Sequence, residues 1–264
     1  MMFTSYGQDS YGTDFWIAVP GAHSSPVAEL YITAQAASTV TVTIPGLAYT
    51  NTFAVAANTL STLILPSGVQ ISSSGASNRG IHVTATTDVT VYLMNQEQAT
   101  TDAYMALPVD ALGLEYYVMT YMQNIGYPGR LTIVATENNT TVTINPKIAN
   151  SAFLPIGVNS TVTLNEGQTY QLNSTTNGAS GDFTGSVVSA DKPIAVFGAV
   201  QCVNIPTGVY ACDYIVEQMP PTSAWGNSFI ATSLATRTGG DIFKFLAKDN
   251  STAVYVNGGL VATL

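Results

Sequence analysis

The sequence predicts an all-β protein built from tandem, sandwich-like units. Segments that alternate with a period of two recur along the chain, as in "VTVTI" (40–44), "TVTI" (141–144) and "AVYV" (253–256). This period of two is typical of strands with one buried face. Turn-forming Pro, Gly and Asn return about every ten residues, which is the spacing of strands in a sandwich or barrel. No segment shows the apolar spacing of an amphipathic helix.

Similar stretches of sequence appear three times, which indicates a repeat. Each copy has a polar bend, an alternating strand and then Pro or Gly: "QAASTVTVTIPG" (35–46), "TENNTTVTINP" (136–146) and "KDNSTAVYVNG" (248–258). An aromatic-rich segment after a glycine precedes each copy: "GTDFWIAVP" (12–20), "GLEYYVMTY" (113–121) and "GNSFIATSL" (226–234). The copies therefore indicate one supersecondary unit used more than once.

The longest internal match defines the size of this unit. "GIHVTATTDVTVYLMN" (80–95) aligns without gaps on "GSVVSADKPIAVFGAV" (185–200), which places Tyr92 on Phe197. A repeat of about 100 residues is the size of one β-sandwich domain. The predicted units are a first at 1–112, a second at 113–225 that carries both cysteines, and a partial third at 226–264. The connectors "PVDALG" and "PPTSAWG" are short and contain Pro, so we expect a fixed angle between units.

The third unit is predicted to be incomplete. Its segments "NSFIATSL", "DIFKFLAKD" and "TAVYVNGG" suggest three or four strands. Apolar side chains that need cover are Phe229, Ile230, Phe243, Phe245 and Leu246. A partial sheet leaves an unpaired edge, which promotes pairing with another chain. We therefore expect either a fragment of a longer extracellular protein or a neighbouring subunit that completes the sheet, with self-association through residues 226–264.

The composition limits the partners of the chain. Of its 264 residues 46% are hydrophobic and only 9% charged, with seven Lys and Arg and a net charge of −9. This balance argues against nucleic acid and against anionic membranes. The most apolar stretch, residues 104–122, is interrupted by Pro108, Asp110, Gly113 and Glu115, so we expect no membrane insertion. The N-terminal residues lack the basic and apolar regions of a signal peptide.

The two cysteines predict a disulfide. Cys202 and Cys212 flank "VNIPTGVYA" (203–211), a turn-rich segment between two apolar runs. Two buried free thiols are the alternative, since free cysteine is often buried. We favour the disulfide, and hence an oxidising compartment. Zinc is disfavoured because neither His23 nor His82 lies at ligand spacing from the cysteines.

The sequence offers few residues for catalysis, metal binding or cofactors. His23 in "GAHSSP" (21–26) has serines beside it, but no nucleophile elbow accompanies it, so we predict no catalytic residue. His82 lies in an alternating segment and is expected to be a surface or half-buried strand residue. The bends at 137–139 and 248–250 have oxygen ligands suitable for calcium. Asn and Asp are also common in turns, so we predict turns and no metal or cofactor site.

Two loops are the best candidates for a binding surface. Residues 96–103 and 203–211 leave corresponding corners of the first two units, and recognition usually sits on loops held by a rigid scaffold. Trp16 and Trp225 stand at unit starts, where packing between units is a better explanation than ligand stacking. Individual ligand-binding residues stay undefined.

Several motifs together resemble one family. "GTDFW", "VYLMNQ", "ENNTTVTI", "GQTYQL", "DFTGSVVSADKPIAVFG" and "CDYIVEQMPPTSAWG" are similar to the N-terminal domain of the IgGFc-binding protein family, over nearly the whole chain. The resemblance implies a secreted or cell-surface binding or adhesion module without catalysis, whose partner is an extracellular glycoprotein or polysaccharide. The alternative is a structural subunit of a surface assembly or filament. The resemblance carries no residue-level binding site.

Overall fold

The computed structural model describes residues 10–24, 26–122, 124–236 and 239–264. The prediction of an all-β protein is confirmed, since strands dominate and the helices are short 3-10 turns. The strands are β1 (Gly12–Ile17), β2 (Val27–Ala34), β3 (Ser38–Ile44), β4 (Tyr49–Val55), β5 (Thr59–Ile64), β6 (Gly75–Ser77), β7 (Ile81–Gln96), β8 (Asp102–Met105), β9 (Gly113–Tyr117), β10 (Gly129–Ala135), β11 (Thr140–Asn145), β12 (Ser160–Leu164), β13 (Thr169–Asn173), β14 (Val187–Val203), β15 (Asp213–Gln218), β16 (Ala253–Val256) and β17 (Gly259–Thr263). The 3-10 helices are Pro45–Leu47, Val109–Ala111, Ala179–Gly181 and Thr222–Ala224.

The first sheet is organised around the 16-residue strand β7. Its strand order is β4-β3-β7-β2-β5, and β1 and β8 also pair with β7. The first half of β7 pairs with β3 and β1, and the second half pairs with β2 and β8. One long strand therefore links two groups of shorter strands, and every pairing is antiparallel.

The second sheet has the same order around the 17-residue strand β14. The order is β12-β11-β14-β10-β13, with β9 and β15 also on β14. The register agrees as well: Leu30 pairs with Leu93 in the first sheet, and Leu131 pairs with Gly198 in the second. Tyr92 and Phe197 lie on the two central strands. The second sheet has one further member, because β6 crosses from the first part of the chain to pair with β13.

A glycine and a proline meet at the same place in both sheets. A Cβ added to Gly12 would lie 2.4 Å from Cβ of Pro108, and one added to Gly113 would lie 2.5 Å from Cβ of Pro221. These distances exclude a side chain on either glycine. The start of β1 and the start of β9 therefore each rest against the proline that follows the last strand of the same sheet.

The two sheets pack against each other, and β14 is buried on both faces between residues 194 and 200. Ile194 and Val196 belong to the core of the second sheet. The alternate residues, Ala195 and Phe197 among them, belong to the core of the first sheet. The Phe197 ring lies 5.2 Å from the Tyr104 ring, and neither is more than 2% exposed. We call this contact between the sheets the junction.

Polar groups fix the geometry of the junction. Arg130 on β10 is 3% exposed, and its Nη1 donates to the carbonyls of Ile71 and Ser72 at 2.8 and 3.1 Å. Gln171 Nε2 donates to the same Ile71 carbonyl at 2.9 Å. Burial lowers the pKa of Arg130 to about 10. Directional bonds of this kind specify how the two apolar faces meet, since apolar contact alone is non-directional.

The third segment, residues 226–264, differs from the expectation of three or four strands. It contains only the hairpin of β16 and β17, and the expected strands at 226–234 and 242–249 are not formed in the described residues. The physical reason lies in the pairing of the other sheets. β1 and β9 pair only with a central strand, whereas β3 and β4 pair with each other. The hairpin of β16 and β17 therefore needs no central strand. The segments at 226–234 and 242–249 match strands that pair with a central strand in the other two sheets, and among the described residues no such strand lies beside them.

Two lysines connect the third segment to the second sheet. Lys244 Nζ donates to the Thr120 carbonyl at 2.9 Å, to Thr184 Oγ1 at 2.7 Å and to the Asp182 carboxylate. Lys248 bonds to Glu115 on β9. Burial opposes the charged form of Asp182, but hydrogen bonds from Lys244 and Thr184 outweigh it and hold the pKa of Asp182 below its usual value.

Because β14 is buried on both faces, substitutions at aligned positions of β14 and β7 should have unequal effects on the free energy of unfolding. Phe197→Ala removes a ring with 0% exposure from the junction, whereas Tyr92→Ala removes one that is 41% exposed. We expect Phe197→Ala to lower the free energy of unfolding by about 3–5 kcal/mol. Tyr92→Ala, the matched control, should cost below about 1 kcal/mol. Urea unfolding measures both, and similar losses would contradict two-sided burial.

The Lys244–Asp182 contact predicts a pH dependence. Because the pKa of Asp182 is lower in the folded state, its contribution is present above the unfolded value of about 4 and is lost as the pH falls through the folded pKa. Asp182→Asn should therefore lower the free energy of unfolding by about 1–3 kcal/mol at neutral pH, with the difference shrinking in acid. Urea unfolding across pH tests this. The control is Asp88→Asn at an exposed position of β7; a constant difference for Asp182→Asn would show that the contact is not ionic.

Candidate functional site

Four loops meet at one end of the two sheets and form what we call the loop surface. They are the loops β1–β2 (20–24), β7–β8 (97–101), β9–β10 (121–127, described apart from 123) and β14–β15 (204–212). The second and fourth overlap the loops singled out from the sequence. The other two were not predicted to join them. The loop surface therefore combines segments from both sheets.

The β14–β15 loop is held at its base by a covalent bond. Cys202 and Cys212 are joined by a disulfide with their Cα atoms 5.2 Å apart, and Cys202 is 1% exposed. Asn124 from the neighbouring loop adds two hydrogen bonds to the backbone of Asn204. Its Nδ2 donates to the Asn204 carbonyl at 2.8 Å, and its Oδ1 accepts from the Asn204 amide at 3.2 Å. The loop is thus fixed at both ends of its base.

The β1–β2 loop of the first sheet also contacts residues of the second sheet and its loops. The His23 and Tyr127 rings are 4.2 Å apart, and His23 Nε2 shares a hydrogen bond of 3.1 Å with Tyr127 Oη. Gln201 Nε2 donates to the Ala22 carbonyl at 3.1 Å. Ser24 bonds to Glu97, which ties the β1–β2 loop to the β7–β8 loop. These contacts hold the loops of both sheets in one arrangement.

The buried Tyr214 forms hydrogen bonds to two loops of the first sheet. Its hydroxyl donates to the Pro20 carbonyl at 2.6 Å, and its amide donates to Thr100 Oγ1 at 2.6 Å. Burial raises the pKa of Tyr214 far above its ordinary value, so the hydroxyl keeps its proton. Burial also raises the pKa of nearby Asp102, whose carboxylate accepts from the Val216 amide at 2.9 Å.

The loop surface carries exposed apolar side chains. Tyr210 is 95% exposed, Val209 54% and Ile205 40%, all within the disulfide-closed loop. An aromatic side chain displayed on a fixed loop is typical of protein-recognition surfaces, because little conformational entropy is lost when it binds. The arrangement suits contact with a macromolecule.

The histidines have structural environments. His23 lies in an exposed loop, and the neighbouring Ser24 hydroxyl donates to Glu97, while Ser25 lies outside the described residues. His82 lies on β7 with its side chain 22% exposed, as a half-buried strand residue. It stacks on Trp16 at 4.1 Å and bonds to Asp14 at 2.8 Å. Among the described contacts, the histidine rings bond to Tyr127 and Asp14, and the Ser24 hydroxyl bonds to Glu97.

The Asn-rich bend at 137–139 has the local contacts of a turn. Asn139 has a φ of 54°, and its amide donates to Asn165 Oδ1 at 3.1 Å. Thr140 Oγ1 donates to the Glu137 carbonyl at 2.8 Å. In the described parts of the chain, no group of three or more His, Cys, Asp or Glu side chains is placed to hold a metal. The same parts contain no helix with the length and apolar character needed to cross a membrane.

The tryptophans lie in different surroundings. Trp16 is 4% exposed and contacts the position of Gly167 from the second sheet, so it packs at the junction. Trp225 follows the last 3-10 helix, its ring 5.8 Å from that of Tyr117, and its Nε1 donates to the Pro220 carbonyl. It packs beside β9, where the second sheet meets the third segment.

Sequence reasoning missed Asn124 and Tyr127. They lie in "QNIGYPG" (123–129), whose Gly and Pro indicate a loop but give no indication of its partners. One signal was available: this loop follows the segment 113–121 as "GAHSSP" follows the aligned segment 12–20. The internal alignment therefore places both loops at matching corners.

Removal of the disulfide should lower the free energy of unfolding. Closing a loop of this length restricts the unfolded chain, so Cys202→Ala with Cys212→Ala should lower the free energy of unfolding by about 2–3 kcal/mol. Reductant should lower the unfolding midpoint of the native protein and leave that of the double variant unchanged. Intact-mass measurement after alkylation provides the check, and two alkylated thiols in unreduced protein would contradict the bond.

Comparison with known proteins agrees with the resemblance seen in the motifs. A family profile described as IgGFc binding protein matches residues 102–264. The human IgGFc-binding protein is 29% identical over 182 residues, which cover 66% of this chain but only 3% of the human protein. No solved structure matches the chain. Since the family match extends over more than half of the sequence, this chain belongs to the IgGFc-binding protein family.

Proposed function

We propose that this protein is a secreted or cell-surface module that binds an extracellular glycoprotein or polysaccharide through the loop surface, without catalysis. The observation that supports this most is the disulfide-closed loop, which presents Tyr210 at 95% exposure on a base fixed by Asn124. Binding needs a rigid, partly apolar surface rather than a set of reactive groups. The loop surface has this character.

Two considerations support the proposed location outside the cell. Disulfides persist in oxidising environments such as the extracellular space, and this chain joins its two cysteines. The few charged residues leave Thr, Ser and Asn to cover the outer faces of the strands. The human relative is named for binding IgG Fc, which makes Fc one reasonable probe among other glycoproteins.

We also propose that the chain is a tandem array of sandwich-like units, with residues 1–112 as the first, 113–225 as the second and 226–264 as a partial third. Support comes from the common strand order of the two sheets and from the matching pairs Leu30–Leu93 and Leu131–Gly198. The strand β6 does not follow the proposed boundary between the first two units, since it lies in the first range but pairs with β13 in the second.

A structural role in a surface assembly is the second candidate. The observation that favours it is the apolar surface of the third segment, where Phe229 is 80% and Ile230 94% exposed. Assembly predicts oligomers that grow with protein concentration, whereas binding of a soluble partner predicts a monomer. Sedimentation velocity over a range of concentrations distinguishes the two.

The loop surface is tested with a binding screen followed by variants. A glycoprotein and glycan array that includes IgG Fc identifies a ligand. Tyr210→Ala should then weaken binding at least about tenfold, as expected for a central aromatic contact, without changing the unfolding midpoint. The matched control is Phe153→Ala, which removes an aromatic ring that is 89% exposed in the β11–β12 loop. Equal losses for both variants, or none for Tyr210→Ala, would remove the loop surface from the proposal.

A further inference from the structure

Three acceptors converge on the ammonium group of Lys244. Its Nζ donates to the Thr120 carbonyl at 2.9 Å, to Thr184 Oγ1 at 2.7 Å and to Oδ2 of Asp182. A primary ammonium group has three N–H donors and no acceptor, so each donor has one partner here. The Tyr121 ring adds a cation–π contact, with Nζ 5.5 Å from the ring centroid. We call Thr120, Tyr121, Asp182 and Thr184 the ammonium site.

The acceptors of the ammonium site are held in place by contacts among themselves. Asp182 Oδ1 accepts from Thr120 Oγ1 at 2.8 Å, from the Thr184 amide at 2.9 Å and from Thr184 Oγ1 at 2.6 Å. These donors engage one carboxylate oxygen, and the other oxygen, Oδ2, contacts Lys244. The Thr120 amide donates in turn to Thr184 Oγ1 at 3.1 Å. The site therefore has its geometry before an ammonium group is added.

Backbone contacts on both sides support this geometry. The Phe183 amide donates to Thr120 Oγ1 at 2.9 Å, and these two residues are 0% and 6% exposed. The Val118 amide donates to the Ser186 carbonyl at 2.9 Å, and the Gly185 amide donates to the Val118 carbonyl at 3.0 Å. The two segments that carry the site are thus joined to each other. Acceptors ordered in advance lose little conformational entropy when a ligand binds.

The arrangement favours a compact ammonium over a guanidinium group. The side chains of Lys244 and Asp182 are only 29% and 15% exposed, so the charged groups need a full set of partners. A guanidinium presents its donors in a planar fork that matches both oxygens of a carboxylate. One oxygen of Asp182 already has three donors within the site. The ligand class is therefore a primary alkylammonium, such as the side chain of lysine.

Lys244 reaches the site from a segment that is largely exposed. Phe243 and Phe245 on either side of it are 46% and 51% exposed. Lys248, further along, bonds to Glu115, with both side chains more than 40% exposed. An exposed ion pair of this kind contributes little free energy, because water and salt screen it. Lys244 therefore makes the more buried of these two ionic contacts with the second sheet.

We propose that the ammonium site is a recognition site for a lysine side chain, which Lys244 occupies as a ligand tethered in the same chain. A lysine of a second polypeptide fits the same acceptors, because they contact the ammonium group rather than the backbone that carries it. Such a lysine binds only when Lys244 leaves, so residues 239–249 restrict access to the site. This proposal does not depend on the ligand of the loop surface.

The test uses the full chain with Lys244→Ala, labelled with ¹⁵N, and n-propylammonium chloride, which replaces the part of the side chain that is removed. The amide resonances of Thr120 and Thr184 report on the site, since both amides donate to its side chains. We expect saturable shifts with a Kd of about 1–100 mM, as suits a ligand of this size. The native chain should bind at least about tenfold more weakly, because its tethered lysine competes.

Controls separate recognition of the ammonium group from a general effect of salt. Tetramethylammonium chloride has the same charge but no N–H donor, so it should cause no saturable shift in the Lys244→Ala chain. Adding Asp182→Asn to Lys244→Ala should weaken propylammonium binding at least about tenfold. Lys192→Ala, which removes a lysine bonded to the Asn138 carbonyl, should behave as the native chain does. No saturable shift with propylammonium, or equal shifts with both cations, would overturn the proposal.

The ligand class is tested with two peptides on the Lys244→Ala chain. An acetylated and amidated Gly-Lys-Gly tripeptide should bind and shift the same two amides. The corresponding Gly-Arg-Gly tripeptide should bind at least about tenfold more weakly, because its planar fork does not match the three converging acceptors. Equal binding of the two peptides would contradict recognition of an ammonium group.

A measurement on the native chain avoids any effect of the Lys244 substitution on folding. Partial acetylation followed by peptide mass spectrometry compares Lys244 with the exposed Lys147. Because the Lys244 ammonium is engaged by three acceptors, it should react at least about tenfold more slowly. Asp182→Asn should reduce this difference. Equal rates for the two lysines in the native chain would show that Lys244 does not occupy the site and would overturn the proposal.

Discussion

The structure depends on one long strand in each sheet that pairs with four others. β7 and β14 are the elements through which the short strands of each sheet are connected, because β1, β2, β3 and β8 all pair with β7, and their counterparts all pair with β14. Such a strand brings together segments that are distant in sequence, and β1, β8, β9 and β15 have it as their pairing partner. In the third segment the hairpin of β16 and β17 is formed, and its remaining described residues form no strand.

Contacts at the junction determine how the two sheets are arranged. Apolar residues on the outer face of β14 meet the core of the first sheet, and Arg130 and Gln171 bond to the Ile71 carbonyl beside them. A buried cation is a weak source of net stability, because its desolvation cost offsets its hydrogen bonds. The polar groups therefore specify the geometry, and the apolar contact supplies most of the free energy. The four loops meet in one surface because this geometry is fixed.

The sequence was informative wherever local pattern determines structure. Alternation at 40–44 and 141–144 identified parts of β3 and β11, and the internal alignment placed Tyr92 and Phe197 on the two central strands. The two-sided burial of β14 was not predicted, although its apolar run "PIAVFGAV" contrasts with the segment "DVTVYLMN" of β7.

Other features depend on tertiary contacts that no local pattern reveals. The strand β6 is only three residues long and lacks alternation, so neither its existence nor its pairing with β13 was foreseen. Arg130 follows a glycine in an ordinary strand, and nothing nearby indicates that it is buried. The strands expected at 226–234 and 242–249 have strong β propensity, but propensity does not supply a pairing partner. For the loop surface, the cysteine pair was visible in the sequence, whereas the Asn124–Asn204 contact arises from packing.

The contact of Gly12 with Pro108, and of Gly113 with Pro221, has a mechanical consequence. The chain enters and leaves each sheet at adjacent points, so tension applied along the polypeptide passes across this contact without first stretching the sheet between its ends. Each folded sheet therefore adds little to the distance between the points where the chain enters and leaves it, although it contains most of the residues that lie between them in the sequence.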